Sequence, residues 1–373
     1  MGMVKKQDII FDSTKMENVG GPKKSSMPRF YFPIIITIIL AEAVILGLIL
    51  FDMFPIHVFQ IYPYAQYGPY INAGDLTQLS VTITKWFFFL LTAGVLIPTT
   101  IIIILEIARR IIVSRRGEED SWDDDFPLLE KLDKQPKLPA DAKKRVQGDY
   151  ITRFDVHQRI QHYALMGSFI VLAVTGFLRG FPDWPTFQWF TSIFGGVEVL
   201  RLVHDVAAFV MIADGIYHLG YIAYGYFVKH KSPAAMFPKW KDLKDILHTV
   251  LWIFGMYKKE PRYDHFQYGQ KIDYWAIFWG MPVMVITGIF MMFPSVFAPY
   301  IGGQWLAVMA TAHRDEAILA VGFILIVHMY YGHLQTTAFP VNTVMFTGKM
   351  LKSKYRQWFR REYAQLTGEK EDK

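Results

Sequence analysis

The sequence predicts an all-α integral membrane protein with six spans, a four-helix bundle preceded by two N-terminal transmembrane helices. Three observations carry that reading. Six apolar stretches are each long enough to cross a bilayer. The Lys/Arg clusters between them all fall on one face if the chain crosses six times. The rear stretches carry histidines at matched depths.

A hydrocarbon core of about 30 Å needs roughly 20 mostly apolar helical residues. The first stretch, 31–51, is interrupted only by Glu42, and the second, 86–105, carries no charge. The third is 160–178, the fourth 202–228, the fifth begins near Tyr274, and the sixth is 317–339. Lys23, Lys24 and Arg29 precede the first, and Arg109, Arg110, Arg115 and Arg116 follow the second. Arg153 and Arg159 precede the third, Lys229 and Lys231 follow the fourth, Lys271 precedes the fifth, and Lys349, Lys352 and Lys354 follow the sixth. The positive-inside rule puts all these clusters, and both termini, on the cytoplasmic side. The chain then divides into a two-span region (1–116), a cytoplasmic linker (117–150), a four-span domain (151–348) and a cytoplasmic tail (349–373). The stretch 239–254 has apolar residues at helical spacing with lysines opposite, which predicts an amphipathic helix on the inner surface. The loop 52–78, with His57, is aromatic-rich and predicted external.

The chain has no cysteine, which excludes disulfides, thiolate zinc sites, cysteine-held iron–sulfur clusters and CxxCH haem attachment. Its net charge of +6 comes from residues flanking apolar runs, so the partner it indicates is membrane lipid and not nucleic acid.

The third and fifth stretches end alike, "VLAVTGFLRGFP" and "VMVITGIFMMFP", with Thr175-Gly176 and Thr287-Gly288 related by 112 positions (287 − 175). The fourth and sixth each carry a histidine near the start and another about four turns on: His204 and His218, then His313 and His328. Together they predict a duplicated helical hairpin. At about 100° and 1.5 Å per residue, His204 and His218 share a face about 21 Å apart, and His313 and His328 are similarly disposed about 22 Å apart. In antiparallel helices His204 and His313 lie at the outer level. His218 and His328 lie at the inner level, joined by His162. Intramembrane imidazoles are costly and usually functional, and imidazole is a good axial ligand for haem iron. Two ligands at each depth would give two stacked b-type haems. The outer pair is His204 with His313; the inner partner of His328 is either His162 or His218. Gly176, Gly215, Gly288 and Gly322 would let backbones approach a macrocycle. His333, five residues past His328, falls on a different face of an α-helix and reads as structural.

The motifs "RIQHY" (159–163), "FIVLAVTGF" (169–177), "RLVHD" (201–205), "FQYGQKIDYW" (266–275), "VMVITG" and "LIVHMYYG" (325–332) carry a resemblance. Residues 151–360 resemble the cytochrome b subunit of membrane-bound formate dehydrogenases, and that of nickel–iron hydrogenases. The resemblance implies a dihaem cytochrome b bundle with ligands His204 and His313 at the outer haem and His162 and His328 at the inner. It leaves His218 as an alternative ligand, a proton relay or a propionate partner. It implies a quinone site beside the inner haem, near Gln267, Gly269, Gln270 and Lys271, although Gln270 and Lys271 could equally cap the fifth span. Arg159 and Arg201 are candidate propionate partners, since guanidinium matches carboxylate geometry. It further implies a bacterial or archaeal cytoplasmic membrane, an iron–sulfur or multihaem partner subunit, and a catalytic oxidoreductase subunit. The first 150 residues depart from the pattern, and the extra helices could hold a neighbouring chain. "HRDEA" after His313 is more charged than a buried helix start should be, which a partner on the outer face or exposed propionates would explain. Two other readings use the same residues: a non-redox transporter or assembly scaffold with histidines for proton relay, and a stand-alone transmembrane reductase.

Overall fold

The computed structural model describes residues 75–116, 142–182, 184–257, 260, 261, 263, 265–335 and 342–368, with positions 37, 40 and 47. The first predicted span, His57 and its loop, and most of the linker lie outside the described residues.

Helix α1 (Asp75–Arg116) contains the second predicted span and runs on past it at both ends. Strands β1 (Val146–Gln147) and β2 (Tyr150–Thr152) lead into α2 (Val156–Gly180), whose N-terminus is fixed by a reciprocal Asp155–Gln158 capping box. A short α3 (Pro185–Ile193) precedes α4 (Val197–Phe227), followed by α5 (Trp240–Ile253). Helix α6 (Tyr268–Met292) is capped by Gln267 and Gln270, and α7 (Pro294–Ile301) turns into α8 (Gly303–Phe323). The chain continues α8 without a break into two π-helical turns, Ile324–His328 and Tyr330–Leu334. A short α9 (Val344–Thr347), strand β3 (Lys349–Leu351), α10 (Lys352–Trp358) and α11 (Arg360–Thr367) complete it.

Among the described residues, four helical segments are long and apolar enough to cross a membrane: Leu79–Val113, Val156–Gly180, Tyr268–Met292 and Trp305–Leu334. Helix α4, the fourth predicted span, is 31 residues long and is not among these four; it carries Glu198, Arg201, His204, Asp205, Asp214 and His218. The helical membrane bundle is as expected; six spans are not all seen. Helix α8 begins well before residue 317. Arg314, Asp315 and Glu316 lower the local hydropathy, yet Asp315 and Glu316 are buried in the bundle. Asp315 is fully buried and paired with Arg314 at 3.2 Å, and Glu316 packs against Gly280.

Helix α2 lies along α4, and α6 along α8, as two hairpins. Helix α1 packs on α8 through Leu96, Ile103 and Ile107 against Leu319, Phe323, Ile326 and Val327. Gly322 is the close approach there, because a Cβ at that position would lie 2.8 Å from Leu96 Cδ1. Thus α1 belongs to this chain's own bundle. Helix α5 turns its polar residues Asp242, Asp245, His248 and Thr249 inward and exposes Trp240, Leu243 and Leu247. That is the reverse of a water-soluble helix and fits an apolar face toward lipid.

Strands β1, β2 and β3 form an antiparallel sheet in that order, with Ile151 opposite Val146 and Met350. The end of the linker and the C-terminal segment are thereby joined. Ile151, Tyr263, Met350, Tyr355, Trp358 and Phe359 form a buried core beneath the bundle. Within it Glu362 accepts from Arg145 (2.7 Å), His265 (2.7 Å) and Tyr355 (2.5 Å). Burial alone would raise the Glu362 carboxyl, but those hydrogen bonds and the Arg145 charge hold it below the usual carboxylate range. Burial, helped by the Arg153 guanidinium, pushes His265 down to about 4 despite its bond to Glu362.

Candidate functional site

At the outer level His204 of α4 faces His313 of α8, with ring centroids 6.4 Å apart. Each imidazole is held by a threonine from the preceding helix of its own hairpin. Thr175 donates its hydroxyl proton to Val171 O (2.7 Å), so at 2.8 Å from His204 Nδ1 it acts as acceptor. Thr287 does the same, donating to Val283 O (2.6 Å) and accepting from His313 Nδ1 (2.9 Å). This bonding assigns the proton of both rings to Nδ1 and leaves each Nε2 with a free lone pair. The following glycines make room: a Cβ on Gly176 would lie 3.4 Å from His204 Cε1, and one on Gly288 would lie 3.2 Å from His313 Cε1. The repeated Thr-Gly is therefore a device that orients one imidazole and clears space for its ring. Gly215 and Gly322 do not serve this purpose, since they face Met281 and Leu96.

At the inner level His162 of α2 faces His328, with centroids 6.3 Å apart and planes at 35°. His328 Nδ1 donates to Asp273 Oδ2 at 3.2 Å, again leaving Nε2 open. His218 is at the same level, but both its nitrogens are taken. Nδ1 donates to Gln161 Oε1 (2.9 Å) and Nε2 accepts from Tyr274 OH (3.0 Å). Of the two inner arrangements left open by spacing, the structure brings together His162 and His328. The π turns also correct the placement of His333. In a π turn residues five apart are neighbours on one face, and the His333 ring lies 6.2 Å from that of His328.

The offset of 112 positions extends through the hairpin: Gln161 and His162 map onto Asp273 and Tyr274. Gln161 holds His218 as Asp273 holds His328, and Tyr274 meets His218 where His162 meets His328. The inner level thus has two related positions, one with two imidazoles and one with an imidazole and a phenol.

One turn before Asp273, toward the start of α6, Gln267 and Gly269 line a water-sized cavity with Glu106, Arg110, Glu260 and Gln335. Gln270 and Lys271 are engaged elsewhere. Gln270 accepts from Arg153 and from the Gln267 amide, and buried Lys271 pairs with Asp242 of α5 at 2.8 Å. Arg159 donates to Phe346 O, and Arg201 is exposed, 3.9 Å from Asp205. Sequence reasoning missed Arg179, whose charge reaches both outer histidines, and Glu106, which with Arg110 forms an i,i+4 pair at the end of an apolar run.

Among the described residues, no three metal-binding side chains gather. The chain offers opposed imidazole pairs and no protein-made cage. A metal–imidazole bond is about 2 Å. Two such bonds in line, plus the inner half of each ring, account for the observed spacings. Comparison with known proteins bears on which metal. A family model described as prokaryotic cytochrome b561 matches residues 34–239, more than half of the chain. The chain belongs to the prokaryotic cytochrome b561 family. The matched stretch takes in most of the region of the two predicted N-terminal spans, which the sequence motifs left outside the resemblance, and stops before His313 and His328. Among curated relatives, a nitrate-inducible formate dehydrogenase cytochrome b556(Fdn) subunit of Escherichia coli K12 is 28% identical over 48% of this chain and 76% of its own length. A formate dehydrogenase cytochrome b556 subunit of Haemophilus influenzae is 25% identical over 57% of this chain and 83% of its own. The chain is thus a prokaryotic multi-pass membrane cytochrome b that binds b-type haem and works in electron transfer. That sets aside the non-redox reading. The residues fit the group: the opposed imidazoles have the spacing of two axial ligands, with Nε2 open on His204, His313 and His328 and glycines where a Cβ would crowd the outer rings.

Proposed function

We propose that this chain is the dihaem membrane-anchor subunit of a multisubunit oxidoreductase, carrying electrons between a partner redox subunit and the quinone pool. The two imidazole pairs at opposite levels carry this reading. His204 and His313 would hold the outer haem, His162 and His328 the inner. Bound haem supplies a one-electron iron couple at each level. Thr175, Thr287 and Asp273 fix the Nδ1–H tautomer of His204, His313 and His328, which would leave the Nε2 lone pair of each to hold haem iron. Arg179 places positive charge beside the outer pair, where a propionate or an incoming electron would be stabilised.

Without cysteine the chain cannot hold an iron–sulfur relay, so an iron–sulfur or multihaem subunit must meet the outer haem, with a catalytic subunit beyond it. The formate dehydrogenase relatives favour a partner complex of that type. A quinone would react beside the inner haem on the cytoplasmic side, with Gln267 and Gly269 at its pocket. Gln270 and Lys271 support that pocket by capping α6 and anchoring it to α5. A pyridine haemochrome assay on the purified chain tests the proposal. About two b-type haems per chain are expected, falling to about one in His204→Ala and in His313→Ala. One haem in the wild type, unchanged by either substitution, would overturn it.

A further inference from the structure

The cavity below Asp273 contains a group the quinone reading leaves unused. Glu106 of α1 is 1% exposed, within a helix segment apolar enough to span the membrane. Arg110 Nε (3.0 Å), Arg110 Nη2 (2.9 Å) and Gln335 Nε2 (3.0 Å) all donate to one carboxylate oxygen, Oε1. Arg110 also pairs with Glu260 at 2.8 Å and lies over the Trp252 ring. Among the described residues, Oε2 accepts no hydrogen bond, and Glu106 lines the cavity that Gln267 and Gly269 also line. Asp273 Oδ1 and Asp315 Oδ2 are also buried and accept no hydrogen bond among the described residues, but of these three carboxylates Glu106 is the one that lines the cavity. Here the Arg110 and Gln335 bonds hold the side chain by one oxygen and leave the other to a mobile donor. The cavity is large enough for water and not for a ring.

We infer that Glu106 Oε2 is the proton-exchange group for a quinone docked at the mouth of this cavity, an assignment that rests on the quinone reading above. Quinone reduction takes up two electrons and two protons, Q + 2e⁻ + 2H⁺ → QH₂. Electrons come from the partner subunit through this chain. For one of the protons, the O–H bond at Glu106 Oε2 breaks, directly or through one water, and an O–H bond forms on a quinone oxygen. The carboxylate is then reloaded from the cytoplasmic side. Quinol oxidation runs the same transfer backwards. The extra helix α1 thereby supplies chemistry that the three histidine-bearing helices α2, α4 and α8 do not carry.

The test uses the purified full-length chain, its haem reduced with stoichiometric dithionite and mixed with menadione, with haem reoxidation followed by absorbance. Haem content and menadione binding by equilibrium dialysis are measured alongside. A general acid contributes about 10²-fold or more. Glu106→Gln should therefore slow reoxidation by about that factor with haem content and menadione affinity unchanged, and Glu106→Asp should restore most of the rate. A wild-type rate in Glu106→Gln overturns the assignment, as does an Asp variant as slow as Gln or a loss of haem in both. Gly269→Leu separates the two layers of the argument. If it leaves reoxidation untouched, the quinone is not in this cavity, and the Glu106 role falls with it. If it blocks reoxidation while Glu106→Gln does not, only the Glu106 role falls.

Discussion

The outer and inner histidine levels are built from the same duplicated hairpin and treat it differently. At the outer level the two copies converge: Thr175 with Gly176 serves His204, Thr287 with Gly288 serves His313, and the two rings face one another. At the inner level the copies diverge. His162 meets His328, whereas its counterpart Tyr274 closes off His218. In the proposed ligation, one side-chain exchange thus separates the two related inner positions: both nitrogens of His218 are engaged, while His162 faces His328.

The largest expected effect comes from filling the outer clearance. A β-branched residue at Gly288 would press on a ring that a bare Cβ already approaches to 3.2 Å. Overpacking of this kind costs about 1–3 kcal/mol. Gly288→Val should displace His313 and lose the outer haem, and Gly176→Val, with 3.4 Å to spare, should lose less. Haem per chain measures both, and equal retention in the two variants would break the clearance argument.

A smaller effect is expected from Thr175→Val and Thr287→Val. Each keeps the side-chain shape and removes the acceptor, leaving a buried imidazole N–H unpaired at about 1–3 kcal/mol. Both should shift the outer haem potential in the same direction by similar amounts, because the level is symmetric. Potentiometric titration checks this; a shift in one variant alone would show that the copies are not equivalent.

The smallest effect sharpens a second contrast, between the bundle and the cytoplasmic core. His265 has an ordinary value near 6.5 and is held at about 4. The unfolded segment therefore binds a proton that the folded one does not, and stability falls as pH drops from about 6.5 to about 4. Glu362, held below its usual value near 4.3, adds stability that is present above that value and lost as pH falls below it. Protection factors across 349–367 should fall on acidification through this window, before those of α2 and α6 do. Protection of 349–367 that is unchanged between pH 7 and pH 4.5 would contradict the assignment.

Much of this was legible in the sequence. The spans at 160–178 and from 274, the Thr-Gly repeat and the pairing of His204 with His313 follow from apolar length and spacing; spacing left the inner partner of His328 open between His162 and His218, and the resemblance pointed to His162. The early start of α8 was not, because Arg314, Asp315 and Glu316 read as solvated while their burial depends on pairing and on Gly280. The π turns were not either: "MYYGHL" gives no local signal for them, and they move His333 beside His328. The cytoplasmic core was hidden because the last segment is charged. Its burial depends on Arg145 meeting Glu362, 217 positions away. Arg110 was counted as a membrane-face anchor, and only its partner Glu106, four residues earlier, hinted at a buried pair.

The central claim is that His162, and not His218, completes the inner pair. The most direct test is haem content of His162→Ala beside His218→Ala in otherwise intact protein. The account predicts loss of one b-type haem from His162→Ala and full retention in His218→Ala. Loss from His218→Ala with retention in His162→Ala would contradict it, and would make the Tyr274 contact a resting arrangement that gives way when haem binds.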